Sequence, residues 1–219
     1  SISNVLAARL SAVAAESPER FSRAVSRALR FTGLVAAPFA AFVTPIAPDI
    51  IRFLGTDAMV PLARTPMSVL AVAIAIGMLS GVLSTAVIAC YRQGVLVRLN
   101  TVTLVINIVL NIILIPRYQA TGAAIALVIT EALGFAVVLY FLAKRTDGSF
   151  PLRAFALLAI PIVICLGIGE LLADANWIIR LAAMCVAYVA LVLGLRITTV
   201  DEVRQLTKRG VDADQVAHA

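Results

Sequence analysis

Five polar side chains lie inside runs of Ile, Val and Leu, and these side chains are the ones best suited to bind a polar ligand. Asn100, Thr103, Asn107 and Asn111 recur at three- and four-residue spacing, and Glu131 lies in the next apolar run. On a helix the first four fall within about 80° of one another. Such a row can hydrogen-bond a neighbouring helix or contact a hydrated solute. The sequence leaves both interpretations open.

Glu131 lies near the midpoint of an apolar run, residues 121–143. A charged side chain at the centre of a bilayer costs about 3 kcal/mol on insertion scales. Carboxylates at that depth pair with a neighbouring helix or serve as proton or cation sites. We therefore predict that Glu131 is an ion-coupling residue, and a structural hydrogen bond to another helix is the alternative.

The composition indicates that the surrounding solvent is lipid. The chain is 62% hydrophobic and 14% charged, whereas a soluble domain is about 25% charged. Long charge-free runs predict membrane helices, and no segment alternates with the period of two that barrel strands require. The predicted fold is an all-α, polytopic membrane bundle of six transmembrane helices, with spans at 31–53, 66–91, 95–115, 121–143, 154–172 and 178–196.

The segments around these spans are predicted from their charge and apolar spacing. Residues 1–15 form either the end of an upstream membrane helix or an interfacial amphipathic helix. In the first case Arg9 would attract anionic head groups. Residues 16–30 form a basic cytoplasmic linker with a helix start at Ser17-Pro18-Glu19. Residues 197–219 form a cytoplasmic tail.

The first span contains three prolines, Pro38, Pro45 and Pro48. Proline inside a helix removes a hydrogen bond and kinks the helix. Broken helices line the pathway in many transporters. The prolines therefore indicate either a functional break or a kink that packing absorbs.

The net charge of +6 reflects membrane topology. Most cations fall on one side of the predicted spans, and the positive-inside bias makes that side cytoplasmic. Both chain ends are then cytoplasmic, and nucleic-acid binding is not expected. The cations on that side are Arg20, Arg23, Arg27, Arg30, Arg92, Arg98, Lys144, Arg145, Arg153, Arg196, Arg204, Lys208 and Arg209.

Several chemistries lack the residues they need. The three cysteines have no metal-ligand spacing, and the one histidine, His218, lies in the polar tail. Acidic residues outside the spans are scattered singly, whereas a transferase acting on polyprenyl carriers would need them clustered. We therefore expect no metal site, no cofactor and no enzymatic activity.

The run NIVLNIILIPRYQATGAAIALVITEALGFAVVLYFLAKR, residues 107–145, resembles the late part of Wzx-type oligosaccharide flippases. These flippases belong to the multidrug/oligosaccharidyl-lipid/polysaccharide exporter superfamily. The shared pattern is an Asn-rich helix ending in Ile-Pro, a short turn, Gly-Ala-Ala-Ile-Ala and a helix containing glutamate. The resemblance extends from residue 1 to about residue 196.

The resemblance implies more than six helices. Such flippases have about twelve to fourteen helices in two lobes, so this chain is expected to be the second-lobe portion, with a missing N-terminal lobe or partner chain. The implied function is alternating-access translocation of polyprenyl-linked oligosaccharide across the bacterial cytoplasmic membrane, for cell-surface polysaccharide assembly and with proton or sodium coupling. The implied cavity residues are Asn100, Thr103, Asn107, Asn111 and Arg9, with Glu131 for the ion.

Two other functions stay open. A multidrug/cation antiporter of the same superfamily would favour a more aromatic cavity than the 6% aromatic content suggests. A non-transporting membrane assembly subunit fits the same composition. Membrane lipids are expected partners in every case.

Overall fold

The computed structural model describes residues 17–90, 93–144 and 152–194, without the side chains of Pro18 and residues 152–158. Within these ranges the chain is helical apart from short turns, and no strand occurs there. The all-α prediction is therefore confirmed. Arg9, the predicted segment 1–15 and the tail 197–219 lie outside the described residues.

The first described helix, α1, spans Pro18–Leu54 and is 37 residues long. It begins after an extended Ser17 (φ −162°), at the predicted Ser-Pro-Glu start, where proline lacks only an N–H that would have no helical partner. Residues 18–30, predicted as a linker, are continuous with the first predicted span. The helix also continues through Pro38, Pro45 and Pro48. All three prolines therefore lie inside one helix, and none of them ends it.

The second helix, α2, spans Val60–Ala89 after a 3₁₀ turn at Asp57–Met59. The next helical element, Gln93–Ala143, has 51 residues and bends at Gln119, which has φ 52° and ψ −131°. A straight helix of that length would be about 75 Å long, more than twice the hydrocarbon thickness. The bend at Gln119 divides the element into α3 (residues 93–118) and α4 (residues 120–143), which form a hairpin.

The last two helices are α5 (Leu152–Leu171) and α6 (Trp177–Gly194). The predicted count of six separate spans is not reproduced, because the third and fourth belong to one bent element and the fifth has a short described apolar part. Among the described residues, four helices are long and apolar enough to cross a membrane, and Ala159–Leu171 is a shorter apolar helix. The four are Glu19–Leu54, Asp57–Ala89, Gln93–Ala143 and Trp177–Gly194.

Helix α1 lies at the centre of the packing. It packs against α2, α5 and α6, while α2 packs against the α3–α4 hairpin. One apolar cluster joins Leu29 of α1 to Leu83 of α2 and Leu142 of α4, and all three are at most 1% exposed. A second joins Ala41 of α1 to Cys165 of α5. The two hairpins, α3–α4 and α5–α6, are thus attached to the α1–α2 pair.

Large apolar side chains cover much of the outer surface. Ile112, Val163 and Val186 are 69%, 66% and 71% exposed. A soluble monomer rarely exposes contiguous apolar area on this scale. The surface therefore suits contact with lipid acyl chains, in agreement with the composition.

Candidate functional site within the helix bundle

The amide of Asn107 connects the two arms of the α3–α4 hairpin. Its Nδ2 donates to the hydroxyl oxygen of Thr130 at 3.0 Å. The Thr130 hydroxyl in turn lies 3.0 Å from the carbonyl oxygens of Ala126 and Leu127. Thr130 is only 6% exposed, so this hydrogen bond is shielded from solvent. It satisfies a polar pair at a depth where an unpaired amide would be costly.

The other members of the row differ in their surroundings. The Nδ2 of Asn111 lies 2.9 Å from the carbonyl oxygen and 2.8 Å from the Oδ1 of Asn107. The Thr103 hydroxyl bonds to the carbonyl oxygen of Leu99 at 3.0 Å. Asn100 is exposed. Asn107 and Asn111 therefore use amide donors within the hairpin, while Asn100 presents its amide at the surface.

Glu131 faces the small residues of α2. A Cβ added at Gly77 would lie 3.5 Å from Oε2 of Glu131, so glycine lets the carboxyl group approach the α2 backbone. One turn along α2, the Ser80 hydroxyl is buried and has no hydrogen-bond partner among the residues that the structure describes. The carboxyl group thus lies on the side of α4 that faces α2. It is next to Gly77, one helical turn from the Ser80 hydroxyl. Its role in ion coupling stays a prediction.

The turn between α3 and α4 requires glycine at position 122. A Cβ there would lie 2.4 Å from the carbonyl oxygen and 2.6 Å from the carbonyl carbon of Leu114. Real Cβ atoms essentially never come this close to backbone, so any side chain would push the arms apart. Gly122 therefore sets the close approach that brings Asn107 within reach of Thr130.

An ion pair between α1 and α6 was not predicted from the sequence. The guanidinium of Arg180 donates to the carboxylate of Asp49, and the side chain of Arg180 is 7% exposed against 22% for Asp49. Arg180 also donates to the carbonyl oxygen of Ala173 at 3.3 Å, while its buried Nε has no partner in the described part of the chain. The two residues are 131 positions apart, and no local spacing signals the pairing.

Exposed ion pairs surround the buried one at the same end of the bundle. Arg52 lies 3.4 Å from Asp49 and 2.9 Å from Asp57. Arg64 of α2 lies 3.4 Å from Glu170 of α5. The Arg52 contacts hold the end of α1 and the turn that follows it, and the Arg64–Glu170 contact joins α2 to α5.

The α5–α6 hairpin makes two further specific contacts with α1. The Tyr188 hydroxyl donates to the carbonyl oxygen of Leu34 at 2.8 Å. A Cβ added at Gly169 would lie 2.5 Å from Cγ of Pro45, so α5 approaches one of the three prolines closely. Pro45 therefore packs directly against the backbone of α5 at Gly169.

The described part of the chain contains no group of three His, Cys, Asp or Glu side chains that could hold a metal ion. Its polar chemistry instead comprises the amide–hydroxyl pair, the carboxyl group of Glu131 and the ion pairs at one end. These features can stabilise helix contacts, exchange a proton or cation, and hold an end of the bundle closed.

Comparison with known proteins places this arrangement in a structural class. No curated protein matches the sequence. A solved structure of "Lipid II flippase MurJ, inward closed conformation" matches with a TM-score of 0.69 and 19% identity, over 87% of this chain and 41% of that chain. This chain thus spans about two fifths of that protein's length, and the likeness shows a shared fold.

A family profile also matches the first half of the chain. It covers residues 4–113 and therefore overlaps the run 107–145 only at its beginning. The resemblance noted in the sequence and the profile match thus rest largely on different residues. The profile is that of MatE, and its extent shows that this chain belongs to the MatE family.

Proposed function

We propose that this chain forms part of a membrane transporter that translocates a lipid-linked oligosaccharide across the bacterial cytoplasmic membrane. The observation that carries the proposal is the fold likeness to a lipid II flippase over 87% of the chain. Membership of the MatE family supports a transport function. The apolar outer surface supports a location in the bilayer.

We propose that the chain acts as one lobe of a two-lobed transporter that works by alternating access. The matched flippase is longer, and this chain spans 41% of it. A second lobe, from a longer chain or a partner, would complete the substrate cavity.

We assign different roles to the polar residues of the α3–α4 hairpin. Asn107 holds the two arms of the hairpin together through Thr130, and Asn111 donates to Asn107 within α3. Asn100 and Thr103 lie farther along the same face and would contact the substrate. Glu131 would carry the coupling proton or sodium ion, since its carboxyl group faces Gly77 at mid-helix. Arg9 would attract the anionic head group.

The charge distribution supports an orientation with both ends in the cytoplasm. Described cations dominate the end where α1 begins, while at the opposite end Arg52, Arg64 and Arg180 are paired with acids. By the positive-inside bias, the basic end is cytoplasmic. The ion pairs of Asp49 and Glu170 would then lie at the outer face.

Flipping in proteoliposomes tests the proposal. The full transporter is reconstituted with a fluorescent polyprenyl-diphosphate oligosaccharide, and the accessible fraction is measured with and without a proton or sodium gradient. Glu131→Gln should reduce gradient-driven flipping on the order of ten-fold or more, because an intramembrane carboxylate is the expected ion site. Glu170→Gln, the same chemical change at an exposed position, should leave flipping within about two-fold.

Each result bears on a separate part of the proposal. Unchanged gradient-driven flipping in Glu131→Gln would exclude the coupling role. Failure of the unmodified transporter to flip the lipid, together with gradient-driven export of an organic cation, would replace the flippase proposal with an antiporter of the same superfamily.

A further inference from the structure

Four arginines occupy one side of the first third of α1. Arg20, Arg23, Arg27 and Arg30 are all exposed. At 100° per residue they fall within about 80° of one another. We call these four side chains the arginine face.

The opposite side of the same helical segment is packed into the bundle. Phe21, Val25 and Leu29 are 4%, 1% and 0% exposed, and they belong to the apolar cluster shared with α2, α3 and α4. Because these residues fix the rotation of the helix, the arginine face points away from the bundle in a defined direction.

Two members of the arginine face, Arg27 and Arg30, carry charge that no carboxylate in the described part of the chain neutralises. Arg23 donates through Nε to the carbonyl oxygen of Glu19 at 3.4 Å, a backbone contact. Arg27 and Arg30 form no ion pair within the part of the chain that the structure describes. At the opposite end of the bundle, by contrast, Arg64 and Arg180 each pair with a carboxylate.

The position of the arginine face matches the membrane boundary. The charge-free run of α1 starts at Phe31, directly after Arg30. Along the helix axis, Arg27 lies about 5 Å from Arg30, on the side away from the charge-free run. This distance is within the thickness of a head-group layer, about 5–8 Å. Arg23 and Arg20 lie about 10–15 Å from Arg30, and long side chains can reach back toward the surface.

We propose that the arginine face binds the phosphates of anionic phospholipid head groups in the adjacent leaflet and so fixes the depth of α1. The positive charges of the arginine face lie at the depth in the membrane where the negatively charged lipid phosphates also lie. Guanidinium groups also bind phosphate oxygens bidentately, and here arginine fills all four positions. The inference concerns the lipids around the chain and holds whatever substrate the transporter moves.

Lipid selectivity of the full chain in bilayers provides the test. Spin-labelled phosphatidylglycerol and phosphatidylcholine are compared for their relative association with the protein, at low and high salt. The chain should prefer phosphatidylglycerol, and Arg27→Gln/Arg30→Gln should reduce that preference, with about five-fold expected for each cation close to an anionic surface. Arg27→Lys/Arg30→Lys should keep most of it, because the charge remains.

The matched control removes the same charge at the other end. Arg64, near the start of α2, and Arg117, near the end of α3, are exposed at the end of the bundle opposite the arginine face. Arg64→Gln/Arg117→Gln should therefore leave the preference for phosphatidylglycerol in the leaflet beside the arginine face within about two-fold. An equal loss in this control would overturn the proposal, because net charge alone would then explain the effect. A preference in Arg27→Gln/Arg30→Gln equal to that of the unmodified chain would overturn it as well.

The salt dependence of the lipid preference is a second test, and it uses only the unmodified chain. Its preference for phosphatidylglycerol should weaken as the salt concentration rises, because the Debye length falls to about 3 Å at 1 M salt. Equal association with both lipids at low salt contradicts the proposal without reference to any variant.

Discussion

The α3–α4 hairpin and the α5–α6 hairpin are held by different chemistry. Within α3–α4, a neutral amide donates to the Thr130 hydroxyl and the backbones meet at Gly122. The α5–α6 hairpin is joined to α1 by the Asp49–Arg180 ion pair and by the Tyr188 hydroxyl. Neutral groups thus serve the contact between arms, and full charges serve the contact near a helix end.

The difference follows from the cost of desolvation. Moving a charged pair out of water costs several kcal/mol per ion in a protein interior. Burying a neutral amide costs less, because one or two hydrogen bonds replace those that it made to water. Asp49 is 22% exposed and lies beside Arg52, so its charge keeps some solvation. A charge pair is therefore affordable at the end of the bundle and would be far more costly at mid-helix.

Removing the charge of Asp49 should produce the largest loss of stability. Asp49→Asn leaves the nearly buried Arg180 uncompensated, which is expected to lower the free energy of unfolding by about 3–5 kcal/mol. Unfolding in mixed micelles, followed by helical circular dichroism, measures the change. Glu170→Gln breaks the exposed pair with Arg64 and should cost less than about 1 kcal/mol.

A result in which both variants lose equal stability would remove the distinction between the buried and the exposed ion pair. In that case the α5–α6 hairpin would be held mainly by its apolar contacts. The double variant Asp49→Arg/Arg180→Asp sharpens the test, since it should recover part of the loss only if the two side chains interact directly.

Gly122→Ala should have the next largest effect. The added Cβ would overlap the Leu114 carbonyl group, and such overpacking costs about 1–3 kcal/mol. Gly81→Ala is the matched control, because nothing lies within 4 Å of a Cβ there and alanine favours the helix by up to about 1 kcal/mol. Unfolding midpoints of the two variants in the same micelles should move in opposite directions. A Gly122→Ala protein as stable as the unmodified chain would contradict the close approach of the arms.

Asn107→Ala should have the smallest of the three effects, about 0.6–2 kcal/mol, because membrane hydrogen bonds between helices are individually modest. Asn111→Ala should cost less, since Asn111 bonds only within its own helix turn. The same unfolding measurement compares them. Equal losses, or rapid reaction of Asn107→Cys with a water-soluble thiol reagent, would favour a hydrated cavity over a helix contact at this position.

Local patterns were enough to place most helices. The predicted spans 31–53 and 66–91 lie close to α1 and α2, because charge-free length reports membrane crossing directly. The count was not exact at residues 93–143, where the two predicted spans belong to one helical element that only the bend at Gln119 divides. The clustering of the amide row was predictable from its helical spacing, but its partner Thr130 was not.

The sequence by itself determined the solvent and the class of fold, because the absence of charge over about 20 residues has few explanations other than lipid. Helical spacing also determined that the amides and the arginines would each share one side of a helix. Only the tertiary structure decided that Asp49 meets Arg180 and that Glu131 faces Gly77. Such pairings depend on how helices distant in sequence pack, and no local periodicity encodes them.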